Sequence, residues 1–166
     1  ATCGDERVEL IDGVIVPMTP ASFEPSRVSV TITIRLGMHV LPCQLGTVLS
    51  AEAGFVLFPD RETVLAPDVA FVRAGREPQG EARWHFARLA PDLVVEVLSP
   101  SDRDRDIQAK LALYQEAGVP LIWVADPRAE TVTVLGQAPR VLATADTLDV
   151  GEVLPEFRIT VADLFA

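Results

Sequence analysis

The chain has 166 residues, 49% of them apolar, and a formal net charge of −10 at pH 7. This length and apolar content predict one compact domain over residues 1–166, and no apolar run approaches the roughly 18 residues of a membrane span, which argues against a membrane protein. The negative charge argues against broad adhesion to nucleic acid, because such adhesion sums many lysine and arginine contacts to phosphate. It leaves room for a nucleic-acid substrate, since carboxylates with bound divalent ions can reverse the local field.

The first residues show no basic-then-apolar signal segment, which predicts a cytoplasmic protein. Cys3 and Cys43 match no metal or redox spacing and are predicted to be reduced thiols. His39 and His85 are too isolated in the sequence to suggest a set of metal ligands. The charged residues are therefore the better guide to the chemistry.

Two short apolar segments, Val8 to Ile11 and Val14 to Pro17, flank Asp12-Gly13 near the start of the chain. This dipeptide favours the two-residue turn that joins the strands of a β-hairpin. The sequence therefore predicts an N-terminal β-hairpin.

The segment from Ser22 to Leu41 supports two interpretations. Apolar and polar residues alternate from Val28 to Met38, and a period of two is typical of a strand. A strand of this length would be long against the usual length of about 5 to 6 residues, and the spacing of Val28, Ile32 and Leu36 also fits one face of a helix. The residues alone leave helix and strand open.

Farther along, Phe55 to Phe58 and Val69 to Val72 are predicted strands joined by a turn around Pro59-Asp60. Gly75 to Pro91 mixes glycine, proline and charges, which predicts an exposed connection. Leu93 to Leu98 is almost continuously apolar, which is typical of a central strand covered on both faces.

A helix is predicted from about Asp102 to Ala117, with Ser101 as its N-cap and Gly118 as its terminator. Further predicted strands follow it at Leu121 to Ala125, Thr131 to Leu135 and Arg140 to Ala143. The order of strands, then strand-helix-strand, predicts a mixed sheet with helices packed on it.

Lys110 is the only lysine of the chain, against thirteen arginines, and it lies within this predicted helix. At about 100° per residue it shares a face with Ile107, Leu111 and Tyr114, which are expected to face the core. A buried amine must contact a carboxylate, a metal-bound oxygen or a phosphate, or lose its charge. Alternatively, Lys110 extends its stem over the apolar face and exposes its amine to water.

Three acidic residues interrupt apolar segments upstream of this helix: Glu9 in the hairpin, Asp68 before a strand, and Glu96 in the predicted central strand. Alternation places Glu96 on the same sheet face as Val94 and Leu98. Buried carboxylates are neutral, paired or bound to metal, and Mg²⁺ prefers oxygen ligands of this kind. A nearby lysine could then orient or activate the attacking water and stabilise negative charge that develops on phosphorus.

Each of these residues also has a purely structural interpretation. Asp68 could be a turn or edge residue, Glu96 could be the ion-pair partner of Lys110 or of an arginine, and Glu9 could lie on an exposed face of the hairpin. On this second hypothesis the protein is a non-catalytic binding or assembly module, and the lysine and carboxylates form a structural ion pair.

Pro67-Asp68, followed by Glu96-Val97-Leu98, resembles the signature of the PD-(D/E)XK nuclease superfamily. It departs from that signature at Leu98, where the lysine is expected, and Lys110 resembles the displaced lysine of some members. Longer segments resemble the Uma family of restriction-endonuclease-like proteins: Glu9-Leu10-Ile11-Asp12-Gly13, Leu65-Ala66-Pro67-Asp68-Val69, Val95-Glu96-Val97-Leu98-Ser99-Pro100-Ser101, Lys110-Leu111-Ala112-Leu113-Tyr114 to Gly118-Val119-Pro120, and Asp149 to Phe165.

The resemblance implies an α/β (α+β-like) fold with a restriction-endonuclease-like core, in which helices flank a central mixed sheet. It implies that Ser22 to Leu41 is helical, despite the alternation. The implied activity is that of a metal-dependent endonuclease, which hydrolyses DNA with a metal-activated water. A homodimer is a further expectation, since nucleases that cut duplex DNA often pair two sites.

For the site, the resemblance implies that Asp68 and Glu96 bind Mg²⁺, with Mn²⁺ as a substitute and the backbone carbonyl of Val97 as a third ligand. It implies that Lys110 is the catalytic lysine and Glu9 an accessory acid. RNA or another phosphoester is an alternative substrate, because a fold does not fix a function.

Overall fold

The computed structural model describes residues 7–166, so the prediction for Cys3 lies outside the described residues. The helices of this part are α1 (Phe23–Val40), α2 (Asp104–Glu116) and α3 (Ala162–Phe165). Its strands are β1 (Val8–Ile11), β2 (Val14–Pro17), β3 (Gly46–Ser50), β4 (Phe55–Phe58), β5 (Thr63–Leu65), β6 (Val69–Arg73), β7 (Leu93–Val97), β8 (Leu121–Asp126), β9 (Thr131–Leu135), β10 (Arg140–Leu142), β11 (Thr147–Asp149) and β12 (Arg158–Thr160).

A six-stranded mixed sheet, in the order β10-β9-β8-β7-β6-β3, forms the centre of the structure. Its parallel pair is β7 and β8, which α2 connects as a crossover helix, and its other neighbours are antiparallel. This confirms the predicted mixed sheet flanked by helices. The prediction of one domain over residues 1–166 stays a prediction.

The two faces of this sheet carry separate apolar clusters. On one face, Val95 and Trp123 pack in one buried cluster with the inner side of α1. On the other face, Val94 and Ile122 pack in a second cluster with Tyr114 of α2. Because side chains alternate along a strand, neighbouring residues of β7 serve opposite faces, and Glu96 belongs to the α2 side.

The ambiguous segment is helical, as the family resemblance implied. Val28, Ile32, Leu36 and Val40 of α1 are fully buried against the sheet. Each such burial contributes about 1.5–3 kcal/mol, whereas a β-branched residue in a helix costs no more than about 0.7 kcal/mol. Tertiary packing therefore outweighs the poor helix propensity of this segment.

The predicted N-terminal hairpin is confirmed. β1 and β2 pair around Asp12 and Gly13, which have positive φ angles of 50° and 77°, as a tight hairpin turn requires. β1 also pairs with β5, and the resulting four-stranded sheet has the order β2-β1-β5-β4. This second sheet brings the hairpin to the central sheet, on the side of Glu96.

Other predictions need correction. The turn around Pro59-Asp60 does not lead directly to β6, because β5 lies between them and pairs with β4. β3, β11, β12 and α3 were not predicted, since they are short or lack clear periodicity. Ser101 is not the N-cap of α2, because the helix begins two residues later than that cap requires, after Arg103.

Candidate functional site

Glu96 lies near the end of β7, among buried apolar neighbours, and is only 4% exposed. The strand holds it rigidly, because it is paired on one side with β8 and on the other with β6. Its side chain points to the face that α2 covers, as the alternation predicted. A carboxylate here needs partners from α2.

Lys110 of α2 provides the first partner. Its Nζ lies 3.0 Å from Oε1 of Glu96 and donates a hydrogen bond to Oε2 at 3.2 Å. The same Nζ lies 3.1 Å from Oε1 of Glu9. The side chain of Lys110 is 15% exposed, so the amine is not extended freely into water. The predicted convergence of the lone amine with these two acids is present.

Glu9 is buried, although the sequence allowed it an exposed position on the hairpin. Its Oε1 accepts a hydrogen bond from the backbone N–H of Ala66 at 2.9 Å. Glu9 thus links the segment that leads into β6 to the amine of Lys110. The pairing of β1 with β5 places it there.

Asp68 is half-buried at the start of β6. Its Oδ2 accepts a hydrogen bond from the backbone N–H of Val97 at 2.7 Å, which fixes it beside the end of β7. It makes no direct ion pair with Lys110, but it lies close enough to Glu96 and Lys110 for their charges to interact. The structure therefore brings all four predicted side chains together, with Asp68 at the rim; their catalytic roles stay predictions.

Two further residues belong to this site and were not predicted. The hydroxyl of Tyr114, one turn after Lys110, is buried and donates a hydrogen bond to Oε1 of Glu96 at 2.8 Å. Its spacing from Lys110 could have revealed it, since residues four apart share a helix face. Asp102 is exposed and accepts the N–H of Ser99 at 2.6 Å, and its charge acts on Asp68.

The pKa values of Glu96 and Asp68 are both raised. Burial raises the pKa of Glu96 to about 7. The effect of burial is larger than the opposing effects of Lys110 and of the Tyr114 hydroxyl, which lower this pKa. Burial also raises the pKa of Asp68, against the lowering effects of the Val97 N–H and Lys110. Glu9 and Glu96 contact one amine and Asp68 lies nearby, so the three carboxylates repel one another when all are ionised.

The pKa of Lys110 is shifted in the direction that keeps its amine charged. Burial alone would lower its pKa, but the attraction of Glu96 and Glu9, together with their hydrogen bonds, outweighs burial and raises the pKa. Burial raises the pKa of Tyr114 well above its usual value, so its hydroxyl stays protonated and remains a donor. At neutral pH both groups supply protons to hydrogen bonds and do not act as bases.

Within residues 7–166 no three acidic, histidine or cysteine side chains are placed to enclose a metal ion by themselves. When all four residues are ionised, three carboxylates and one ammonium carry a net charge of −2, which favours a divalent cation. A cavity of about 870 Å³ lies elsewhere, between Glu52, Trp84 and Phe86, and none of the four residues lines it.

Comparisons with known proteins identify the family of this chain. The profile of a family named Uma2, described as "Putative restriction endonuclease", matches residues 2–162. The chain belongs to the Uma2 family. The resemblance drawn from the motifs around Asp68, Glu96 and Lys110 is thereby confirmed.

A solved structure shows the fold of this Uma2 chain independently. It is the crystal structure of "a putative nuclease belonging to DUF820" from Anabaena variabilis ATCC 29413, which is 21% identical, with a TM-score of 0.84. The match covers 97% of this chain and 90% of that one. No curated protein matches the chain significantly. Among the described residues, no helix has the length and apolar content needed to cross a bilayer.

Proposed function

We propose that this Uma2 chain is a metal-dependent endonuclease that hydrolyses phosphodiester bonds of DNA. The observation that carries the proposal is the surplus of carboxylate charge around Lys110, at the end of the central strands of a nuclease-family fold. A purely structural ion pair would need one acid for one amine. Excess buried negative charge is costly unless a cation balances it.

Asp68, Glu96 and the backbone carbonyl of Val97 are the groups that would hold Mg²⁺ or Mn²⁺. The N–H of Val97 faces Asp68, and in an antiparallel ladder the N–H and carbonyl of one residue face the same neighbour, which supports the third ligand. When bound, the ion would supply an activated water and balance charge on the phosphate. Because a bound cation competes with the proton on Glu96, the raised pKa of Glu96 predicts weaker metal binding in acid.

Lys110 acts in this proposal as an electrostatic group. Its raised pKa keeps the ammonium charged at neutral pH, so it orients a nucleophilic oxygen or stabilises the anionic phosphate and does not remove a proton. Glu9 is a positioning residue, since it holds both the Lys110 amine and the Ala66 N–H near the start of β6. Tyr114 positions Glu96 in the same way.

DNA is the proposed substrate because the family is described as restriction endonucleases. RNA or another phosphoester is the alternative that a substrate panel separates from DNA. The cytoplasmic location expected from the sequence stays a prediction.

The test combines metal titration with cleavage assays on plasmid DNA, linear duplex DNA and RNA, with Mg²⁺ or Mn²⁺ added to metal-free protein. We expect one saturable metal site and DNA cleavage in the wild-type protein, and loss of both in Glu96→Gln. Asp92→Asn is the matched control, because Asp92 is an equally buried acid outside the site. Absence of metal binding and cleavage in the wild type, or their persistence in Glu96→Gln, would contradict the proposal.

A second candidate function is that of a non-catalytic binding or assembly module. One observation favours it: both oxygens of Glu96 already accept hydrogen bonds from Lys110 and Tyr114, as in a structural ion pair. This candidate predicts no calorimetric signal on titration with Mg²⁺ and a large loss of stability in Lys110→Met, about 3–5 kcal/mol for a broken buried pair. The nuclease proposal predicts a metal signal.

A further inference from the structure

The longest helix, α1, has a second apolar face that points away from the core. Five large apolar side chains on this face are half-exposed or more: Phe23 at 83%, Val30 at 54%, Ile34 at 54%, Met38 at 66% and Leu41 at 71%. We call these five residues, together with Gly37, the α1 stripe. It also explains why the sequence alternates, since both faces of the helix are apolar.

The part of the stripe from Val30 to Leu41 is uncharged. At about 100° per residue its members fall within an arc of about 100°, opposite the buried face of α1. Thr31 and Thr33 flank it, and their hydroxyls bond to backbone carbonyls of α1 itself, at 3.0 Å and 2.8 Å. Arg27 falls within the same arc, between Phe23 and Val30, and its guanidinium donates to Glu24 at 2.6 Å and to the carbonyl of Phe165 at 2.7 Å. The one charge within the arc is therefore paired, and it lies at the Phe23 end, outside the segment from Val30 to Leu41.

Gly37 gives a second reason to expect a close partner. A glycine in the interior of a helix costs about 1 kcal/mol relative to alanine. Among residues 7–166, a Cβ added at Gly37 would meet no atom within 4 Å beyond its chain neighbours and the nearby backbone of α1. Packing within the chain therefore does not require glycine here. A second helix that packs closely on the exposed face of α1 would require a residue as small as glycine here.

We infer that α1 of a second copy of this chain packs antiparallel across the α1 stripe. A two-fold axis between Ile34 and Gly37 would place Ile34 of each copy in the hollow at Gly37 of the other, and Val30 of each opposite Leu41 of the other. Such an interface uses one patch twice, as a symmetric dimer requires. The occupant is a copy of the chain because an uncharged surface without polar anchors is complementary to itself.

The exposed area is sufficient for such a pair. The stripe presents roughly 500 Å² of apolar surface, near the upper end of what a monomeric domain leaves exposed. With its polar rim, each partner would contribute close to the roughly 800 Å² per partner that a stable interface buries. The inference concerns α1, which packs on the opposite face of the central sheet from the helix that carries Lys110, and it does not depend on the proposed nuclease activity.

Sedimentation velocity tests the inference on the wild-type chain, whose mass is 18.0 kDa. We expect a species of twice this mass at micromolar concentration, and the single-chain mass for Met38→Glu. Val141→Glu is the matched control, because Val141 is also 66% exposed but lies on β10; this variant should remain a dimer. Far-UV circular dichroism and thermal melting show that each variant is folded.

A monomeric wild type overturns the inference and leaves the stripe to a partner of different sequence. A dimer that persists in folded Met38→Glu overturns it as well, since the interface then lies elsewhere.

Disulfide trapping tests the direction of the helices. In a Cys3→Ser, Cys43→Ser background, differently tagged Val30→Cys and Leu41→Cys chains are mixed and oxidised. We expect the mixed cross-link as the main product. A dominant Val30→Cys homodimer, or no cross-link from a dimeric sample, overturns the antiparallel pairing.

Discussion

The tetrapeptide Leu-Ala-Pro-Asp occurs twice in this chain, ending at Asp68 and at Asp92. Each copy leads into one strand of the same antiparallel pair, β6 and β7, so the two aspartates lie at opposite ends of that pair. Each accepts the backbone N–H of the last residue of the other strand, Asp68 from Val97 at 2.7 Å and Asp92 from Arg73 at 2.9 Å. The local backbone arrangement is therefore alike.

The charge balance differs between the two ends. Asp92 has two guanidinium groups for one carboxylate, with Arg76 at 2.5 Å and Arg73 at 3.7 Å. Around Asp68 the ratio is reversed, because Glu9 and Glu96 pair with the single amine of Lys110 and Asp68 adds a third carboxylate nearby. One end is a structural ion pair with more guanidinium groups than carboxylates, and the other end has more carboxylates than amines. The same tetrapeptide thus has a structural role at Asp92 and, in our proposal, a catalytic role at Asp68.

The strongest test of the difference between Asp68 and Asp92 is to neutralise each aspartate in turn. We expect Asp68→Asn to lower the cleavage rate by about a hundredfold or more, as loss of one preorganised charged group in an active site does. We expect Asp92→Asn to leave the cleavage rate near the wild-type value and to lower the free energy of unfolding by about 1–3 kcal/mol, because charge-assisted hydrogen bonds are lost. Cleavage kinetics and urea unfolding measure the two effects.

The opposite pattern would end the distinction between the two copies. If folded Asp92→Asn lost cleavage as severely as Asp68→Asn, charge balance would not separate structural from functional acids in this fold.

The pH dependence of stability should also differ between the ends. Glu96 has a folded-state pKa of about 7, raised by burial from 4.5. An acid with a raised pKa binds its proton more tightly in the folded state, so its stabilising effect is complete below pH 4.5 and is lost as the pH rises to about 7. We expect the wild-type free energy of unfolding to fall over this window in metal-free buffer, and this slope to be much smaller in Glu96→Gln.

Urea unfolding at a series of pH values measures the slope. Asp92→Asn should retain the wild-type slope, since it leaves Glu96 unchanged. A slope that is equal in wild type and Glu96→Gln would show that Glu96 is ionised normally and that the surplus charge is already compensated.

Much of the site could be predicted because its signals are local. Alternation placed Glu96 on one face of β7, and helical spacing placed Lys110 on the buried face of α2. The burial of Glu9 could not be predicted, because it depends on the pairing of β1 with β5, more than fifty residues away along the chain. Asp92 was missed although it ends the same tetrapeptide as Asp68, since only its arginine partners in space define its role.

In the fold, too, some elements could be predicted from local sequence and others depend on distant contacts. The strand β7 and the hairpin follow from composition and turn chemistry, whereas α1 does not. Its alternating residues predict a strand equally well, and the helix forms because one face packs on the sheet. β3 depends on its pairing with β6, which is distant in sequence, and β11 has only three residues, so periodicity gave no signal for either strand.

The smallest expected effect comes from Tyr114→Phe, which removes one hydrogen bond to Glu96 and keeps the ring in the core. The hydroxyl lowers the pKa of Glu96, so its loss should raise that pKa further and move the acid limb of the cleavage profile to higher pH. Stability should fall by about 1 kcal/mol. Single-turnover cleavage across pH measures the shift. An unmoved acid limb with the same loss of stability would show that Tyr114 supports the fold and does not tune Glu96.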